Sequence, residues 1–278
     1  MGYLLLAIFC SSMISVSMRL SSGKVKSHFG MLAVNYLVCG ILGACYADFS
    51  VLKSGAEGLG MTAGLSVLNG FVLLGGLLLL QISTARNGIV LSSLFMKLGL
   101  LVPFAVSVLF FREIPTWLQI AGFLVAVGAI VLFNWKKDSA GSRFGVGLIL
   151  LLLLGGGADT MVKLFETLGP QLLSDHFLCF SFGMAFVLCF LVLLFKREVP
   201  DRNGLLYGSM IGVANFFSSK FILAALTQIP AVVIFPTYSV ATMLVVTLSG
   251  VIFFRERLAK RQWLAFCAVI IALVLLNI

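Results

Sequence analysis

Long apolar runs alternate along the chain with short segments that contain charged residues, glycine and proline. A run of about 20 apolar residues can cross the hydrocarbon core of a bilayer as a helix. Helices are expected because a backbone surrounded by lipid must satisfy its own hydrogen bonds. The pattern predicts an all-α protein with ten transmembrane helices, at 2–20, 30–47, 62–83, 88–111, 115–134, 144–164, 176–195, 204–228, 230–254 and 262–278.

Composition supports this prediction. The chain is 61% hydrophobic and only 10% charged, whereas about a quarter of the residues in a soluble globular chain are charged. The chain therefore lacks the polar residues needed to cover a water-soluble surface, and we expect a multi-pass protein of the bacterial cytoplasmic (inner) membrane. The net charge of +9 is explained by basic cytoplasmic loops, so the bilayer and not a nucleic acid is the expected partner.

Basic residues are distributed unevenly between the predicted loops. Of the 19 basic residues, 14 fall in odd-numbered loops, three in even-numbered loops and two inside predicted spans. Loops that face the cytoplasm carry the excess of lysine and arginine. The distribution therefore predicts cytoplasmic odd-numbered loops and, with ten spans, both termini outside.

One sequence motif occurs twice. Phe-Phe-Arg-Glu begins at Phe110 and again at Phe253, and each copy continues through a polar turn and a Gln into an apolar span that ends in Asn. The two copies align without a gap at an offset of 143 residues, with five spans between them. Because five is odd, the copies lie on opposite faces of the membrane. The chain is therefore predicted to consist of two inverted five-helix repeats, at 1–135 and 144–278.

This arrangement resembles the drug/metabolite transporter superfamily, and most closely its EamA-like ten-helix branch. The resemblance covers nearly the whole chain and is most specific at Arg112-Glu113 and Arg255-Glu256, which match the short acidic loop after the fourth helix of each family repeat. It implies alternating-access transport of small organic solutes held between the two halves. It also implies a central cavity lined by spans 1, 3, 4, 6, 8 and 9. Family members usually have both termini in the cytoplasm, which is opposite to the orientation that the charge distribution favours.

Three ionisable side chains fall deep inside predicted spans. An ionisable group at a helix centre costs about 2.5–3.5 kcal/mol on insertion scales, so such residues face the bundle interior or a wet cavity. Lys97 lies in the middle of span 4, where it either contacts solute or forms a buried salt bridge. Asp159, expected to be the only acid within a span, could pair with Lys163 one turn later. Alternatively, it could be the counter-ion of Lys97 or Lys220, or a proton-coupling carboxylate.

Neutral polar residues give further candidates. Asn215 and Ser219 lie close to one helical face with Lys220, and this group could bind solute or join helices. Asn69 in span 3 has the same two interpretations. In span 9, Pro236 is either a plain kink or a hinge beside a solute-facing Tyr238.

The predicted function is secondary transport of a small polar metabolite. Two cavity cations and one anion favour an organic anion, or an amino acid whose amine meets Asp159 and whose carboxylate meets a lysine. Export of amines or cationic drugs is the alternative. An enzyme is not expected, because no catalytic constellation, metal-ligand cluster or cofactor motif is visible, and a GxxxxGK[ST] nucleotide loop is missing. A channel remains the other membrane class, and a monomer is compatible with the sequence.

Overall fold

The computed structural model describes residues 1–53, 57–87, 89–134, 145–254 and 260–278. Within these ranges the regular structure is helical and no strand is present, which confirms the predicted all-α fold. The α-helices are α1 (Gly2–Ser21), α2 (His28–Tyr46), α3 (Ser50–Lys53), α4 (Leu59–Asn87), α5 (Ile89–Lys97), α6 (Leu101–Leu109), α7 (Trp117–Asn134), α8 (Gly145–Leu168), α9 (Ser174–Lys196), α10 (Arg202–Leu226), α11 (Ala231–Phe254) and α12 (Lys260–Asn277).

Every predicted span corresponds to a helical stretch. In the described ranges, nine stretches are long and apolar enough to cross a membrane, and Trp117–Phe133 forms a shorter apolar helix. The predicted bounds are close to the observed ones, although α4 begins three residues before the predicted span and ends four residues after it. The second Phe-Phe-Arg-Glu copy ends in Arg255-Glu256, and these two residues, like Lys136 and Lys137, lie outside the described ranges.

The fourth predicted span is interrupted, contrary to the expectation of one continuous helix. The α-helix α5 ends at Lys97, a 3-10 turn covers Leu98–Leu100, and α6 continues from Leu101. Pro103 explains the break, because proline has no backbone N–H to donate to the carbonyl of Gly99 one turn earlier. Short 3-10 segments are typical of such interruptions.

Contacts divide the described chain into two compact units. Unit 1 contains Met1–Leu74 and Leu164–Thr227, and unit 2 contains Gly75–Lys163 and Gln228–Ile278. Each unit therefore includes helices from both predicted repeats. The division of the chain into repeats at 1–135 and 144–278 stays a prediction.

In unit 1, α2 packs against both α9 and α10. A Cβ atom built on Gly43 would approach the Cα of Cys179 to 2.7 Å, and one built on Gly40 would lie 3.8 Å from the backbone nitrogen of Gly183. Residue numbers rise along α2 as they fall along α9, so these helices are antiparallel. Glycine lets the two backbones approach closely, as is common between membrane helices.

In unit 2, α7 packs along α12, and both helices are 18 residues long. A buried apolar cluster joins them to α5, α6 and α11 and includes Ala126, Ile130, Val240 and Ala272. The rings of Phe104 and Phe123 stack in the same region with their centroids 3.8 Å apart. This cluster is an apolar core of unit 2.

Candidate functional site

Lys97 is the last residue of α5, directly before the 3-10 turn. Its side chain is accessible to solvent and has no hydrogen bond or ion pair within the described ranges. The buried salt bridge considered from the sequence is therefore not formed by the described residues. An ammonium group that is free of protein partners can be contacted by solvent or by a solute.

Asp159 lies on α8, close to the place where this helix crosses the α5–α6 segment in unit 2. A Cβ atom built on Gly99 would lie 2.5 Å from the backbone nitrogen of Gly156, and one built on Gly155 would lie 2.8 Å from the carbonyl oxygen of Met96. Lys97 follows Met96 directly, and Asp159 is one helical turn beyond Gly155. The backbones of Lys97 and Asp159 therefore both lie within one helical turn, roughly 6 Å along the helix axis, of the point where the two segments cross.

The carboxylate of Asp159 is half-buried and, in the part of the chain that the structure describes, has no ion pair or hydrogen bond. The predicted alternative was a pair with Lys163 on the next turn. Instead, the Nζ atom of Lys163 lies 2.9 Å from Oε1 of Glu113, and both side chains are mostly buried. Asp159 is thus left without a protein partner among the described residues.

Glu113 contacts three helical segments of unit 2. It follows the end of α6, bonds to Lys163 on α8, and accepts a hydrogen bond of 3.0 Å at Oε2 from the backbone N–H of Val232 in the first turn of α11. A carboxylate at a helix N-terminus is favoured by the free N–H groups and the helix dipole. Arg112, just before it, has a φ of +54°, so the chain turns sharply there. The first Phe-Phe-Arg-Glu motif is therefore more than a charged turn, because its glutamate contacts both α8 and α11.

Pro236 and Tyr238 lie on α11, one to two turns after Val232. Pro236 is inside the helix and cannot donate to the carbonyl of Val232, which breaks the regular hydrogen-bond ladder at that turn. Beside it, the buried Thr237 accepts a hydrogen bond of 3.3 Å from Asn277 of α12. Tyr238 is half-buried. The structure thus places the predicted hinge and the predicted contact residue in unit 2, with Lys97 and Asp159.

Lys220 lies on α10 in unit 1 and has a carboxylate partner that the sequence analysis did not identify. Its Nζ atom is 2.6 Å from Oδ1 of Asp175, in the first turn of α9, and 3.8 Å from the centroid of the Tyr46 ring. Asp175 lies in the first turn of this apolar helix, one residue before the predicted span, so a second acid stands at the edge of a candidate span. The ammonium of Lys220 is therefore bound by a carboxylate and an aromatic face of its own protein.

His176, next to Asp175, was not singled out from the sequence. Only 1% of the residue is exposed, and neither ring nitrogen has a hydrogen-bond partner in the described chain. Phe49 contacts the imidazole edge-on, with centroids 5.6 Å apart. Nearby, hydrogen bonds from the side chain and backbone of Ser50 lower the pKa of the exposed Asp48 carboxyl. Burial of a histidine beside an ion pair could not be inferred from a sequence position at the start of an apolar run.

The neutral candidates of unit 1 form helix–helix contacts. Asn215 donates a hydrogen bond of 3.2 Å to Oδ1 of the buried Asn35, which joins α10 to α2. Ser219 is half-buried directly before Lys220. Asn69 is 4% exposed, and its side-chain oxygen has no partner within the described ranges. The contact of Asn215 fits the helix-joining interpretation, while a solute-binding role for Ser219 and Asn69 stays a prediction.

The fold defines the class of protein. Over its described residues, this is an all-helical protein with nine helices that are long and apolar enough to cross a membrane. No family model matches the chain. The chain is 27% identical over 278 aligned positions to an uncharacterized protein of Haemophilus influenzae, and the match covers 95% of this chain and 93% of that protein. A solved crystal structure superimposes with a TM-score of 0.74 and 13% identity, covering 100% of this chain and 98% of the other. This second similarity concerns the fold alone.

Proposed function

We propose that the protein is a secondary transporter of the EamA-like drug/metabolite type, which moves a small polar metabolite across the bacterial inner membrane by alternating access. The single observation that carries this proposal is the pair of ionisable side chains Lys97 and Asp159. Both lie on helices of membrane-spanning character, and neither has a protein partner in the described chain. Ionisable residues at membrane depth typically line solute or ion pathways.

The distribution of charge within unit 1 supports the orientation that the sequence predicts. The end of α1, the start of α2, the end of α9 and the start of α10 meet at one end of this unit, which we call the basic end. Its basic residues are Arg19, Lys24, Lys26, Lys196, Arg197 and Arg202. Asp48 and Asp175 lie at the other ends of α2 and α9. By the positive-inside rule the basic end is cytoplasmic, so that α1 begins on the outer side.

Two glycines support the inverted-repeat architecture. Gly40 and Gly183 are separated by 143 residues, which is the offset of the Phe-Phe-Arg-Glu motif, and they approach each other between the antiparallel helices α2 and α9. A two-fold axis in the membrane plane brings equivalent residues of antiparallel helices together. Inverted repeats of this kind are typical of secondary transporters that bind solute near the middle of the membrane.

The contacts of Lys163 and Lys220 narrow the class of solute. Both lysines are neutralised by carboxylates of the protein, Glu113 and Asp175. Among the described residues in the candidate spans of unit 2, Lys97 and Asp159 are one lysine and one carboxyl group without a protein partner, so the excess positive charge inferred from the sequence is reduced. A zwitterion is the solute that both groups can bind, through its carboxylate at Lys97 and its amine at Asp159. We therefore favour an amino acid over a simple organic anion.

Counterflow in liposomes tests the proposal. The purified protein is reconstituted, loaded with unlabelled amino acids, organic acids or amines in separate pools, and assayed for uptake of the labelled solute. We expect saturable exchange with an amino-acid pool. Replacing Lys97→Gln or Asp159→Asn removes one charged hydrogen bond each, which is worth about 1.5–3 kcal/mol. Apparent affinity is then expected to fall by roughly 10- to 150-fold.

A matched variant and the other pools distinguish the alternatives. Lys260→Gln, which removes an exposed charge at the start of α12, should leave exchange unchanged. Exchange of amines that survives Lys97→Gln and is lost in Asp159→Asn would instead identify an amine exporter. Non-saturable flux without counterflow would identify a channel, and the transporter proposal would then be wrong.

A further inference from the structure

Direct contacts hold the two loops of the basic end together. Ser27 donates a hydrogen bond of 2.5 Å to Oε2 of Glu198, and the side-chain amide of Asn203 donates one of 2.9 Å to the carbonyl oxygen of Lys24. Ser27 also accepts a hydrogen bond from the backbone of Gly30 and so caps α2. The α1–α2 and α9–α10 connections are therefore one continuous surface, and the basic residues on both of them act on the same region of space.

The charges of this surface are only partly compensated. Lys24 lies 3.2 Å from the hydroxyl of Tyr207, and Lys196 lies 4.0 Å from the centroid of the Phe29 ring. The exposed basic residues of this surface whose side chains have no hydrogen bond, ion pair or ring contact among the described residues are Lys26, Arg197 and Arg202. Glu198 is one of the two acids in these loops, and it is already engaged by Ser27. Three cations are therefore available to an anionic partner.

Apolar side chains border these cations. Phe195 is 87% exposed and Val199 is 79% exposed, and they flank Arg197 in the sequence. Leu194 and Leu205, at the adjoining ends of α9 and α10, are also exposed. A water-soluble anion would leave these side chains in water. An amphiphile with an anionic head and apolar chains would cover both kinds of surface at once.

We propose that the basic end of unit 1 is a binding site for an anionic phospholipid. The lipid phosphate contacts Lys26, Arg197 and Arg202, and the acyl chains cover Phe195 and Val199. Basic pockets between the ends of membrane helices are suited to such head groups, and each lysine or arginine near a membrane surface contributes about a fivefold gain in affinity. The site uses neither Lys97 nor Asp159, so it does not depend on the transport proposal.

Native mass spectrometry of the purified protein titrated with phosphatidylglycerol tests the site, with phosphatidylcholine as the neutral lipid. We expect preferential binding of phosphatidylglycerol to the natural chain. The triple variant Lys26→Gln/Arg197→Gln/Arg202→Gln should lose on the order of 100-fold in affinity, since three charges of about fivefold each are removed. The variant Phe195→Ser should weaken binding without changing the charge.

A charge-matched control distinguishes binding at a defined site from general electrostatic attraction between basic loops and anionic lipid. The variant Lys136→Gln/Lys137→Gln/Arg143→Gln removes three basic residues from the fifth predicted loop and should keep full lipid binding. Equal loss in both triple variants, or equal binding of both lipids, would overturn the proposal. Displacement of the lipid by millimolar inorganic phosphate with no effect of Phe195→Ser would also overturn it, because the site would then recognise phosphate alone. Thermal unfolding of each variant in detergent verifies that the fold is intact.

Discussion

The ammonium of Lys163 lies 2.9 Å from the carboxylate of Glu113, and this pair is mostly buried. Because the same carboxylate also accepts the backbone N–H of Val232, one side chain fixes the end of α6, the last turns of α8 and the start of α11. Asp159 is one turn before Lys163, and Pro236 is one turn after Val232. The pair therefore positions the helices that carry the candidate binding residues.

Removing only one member of the Lys163–Glu113 pair should destabilise the protein strongly. Lys163→Met leaves the Glu113 charge buried without its cationic partner, and the cost of such a change is about 3–5 kcal/mol. The double variant Lys163→Met/Glu113→Gln should recover much of this loss, because the remaining amide keeps an acceptor for the Val232 N–H. Thermal unfolding in detergent measures both. Losses that simply add would contradict the proposed coupling.

The close crossing of α8 with the α5–α6 segment predicts a strong effect of a single methyl group. A Cβ atom at Gly156 would meet the backbone of Gly99 and the side chain of Val102. Gly156→Ala should cost about 1–3 kcal/mol through overpacking. Gly128→Ala is the matched control, because no atom lies within 4 Å of a Cβ at that site on α7. Its expected effect is neutral or slightly stabilising, since alanine favours the helix. A Gly156→Ala protein as stable as Gly128→Ala would show that the helices do not approach so closely.

The aromatic contact of Lys220 can be measured apart from its salt bridge. A cation on the face of an aromatic ring gains about 0.5–2 kcal/mol. Tyr46→Phe keeps that face, and we expect little change in thermal stability. Tyr46→Leu removes the face and should lower the melting temperature by several degrees. In the Lys220→Met background both Tyr46 variants should have nearly the same stability. A difference that persists there would mean that Tyr46 acts through other neighbours, such as Phe216.

Replacing Pro236 should affect the conformational change during transport more than the folding of the protein. Pro236→Ala supplies an N–H for the carbonyl of Val232 and makes α11 regular. We expect higher thermal stability together with a lower turnover number, while the KM of the solute identified by counterflow changes little. Pro103→Ala, in the interrupted fourth span, is the comparison. If Pro236→Ala raised KM and left turnover unchanged, the residue would belong to the binding surface and not to a hinge.

The positions of the helices could be predicted from the sequence because each is encoded locally. The apolar run of 176–195 lies within Ser174–Lys196, and the run of 204–228 overlaps Arg202–Leu226 closely. The interruption after Lys97 was missed although Pro103 is visible in the sequence, because a proline near the middle of an apolar run is compatible with a kinked helix as well as with a broken one.

The partners of the charged residues could not be predicted in the same way. Lys220 and Asp175 are 45 residues apart, and Lys163 and Glu113 are 50 residues apart. Nothing local to either lysine selects its carboxylate. Sequence spacing favoured Asp159 for Lys163, since residues four apart on a helix are neighbours. Tertiary packing brought Glu113 to Lys163 instead, and so left Asp159 without a partner in the part of the chain that the structure describes.

The equal length of α7 and α12 has a consequence for the membrane in which this protein works. Each helix has 18 described residues, which corresponds to about 27 Å, somewhat less than the roughly 30 Å of an average hydrocarbon core. Tilting cannot compensate for a helix that is too short, because it reduces the depth that the helix covers, so the bilayer thins around it instead. Exposed Trp117 and Trp263, near their first turns, are residues that settle at the level of the lipid head groups. This side of the protein therefore favours a thin bilayer, and lipids with shorter acyl chains should suit it better than long ones.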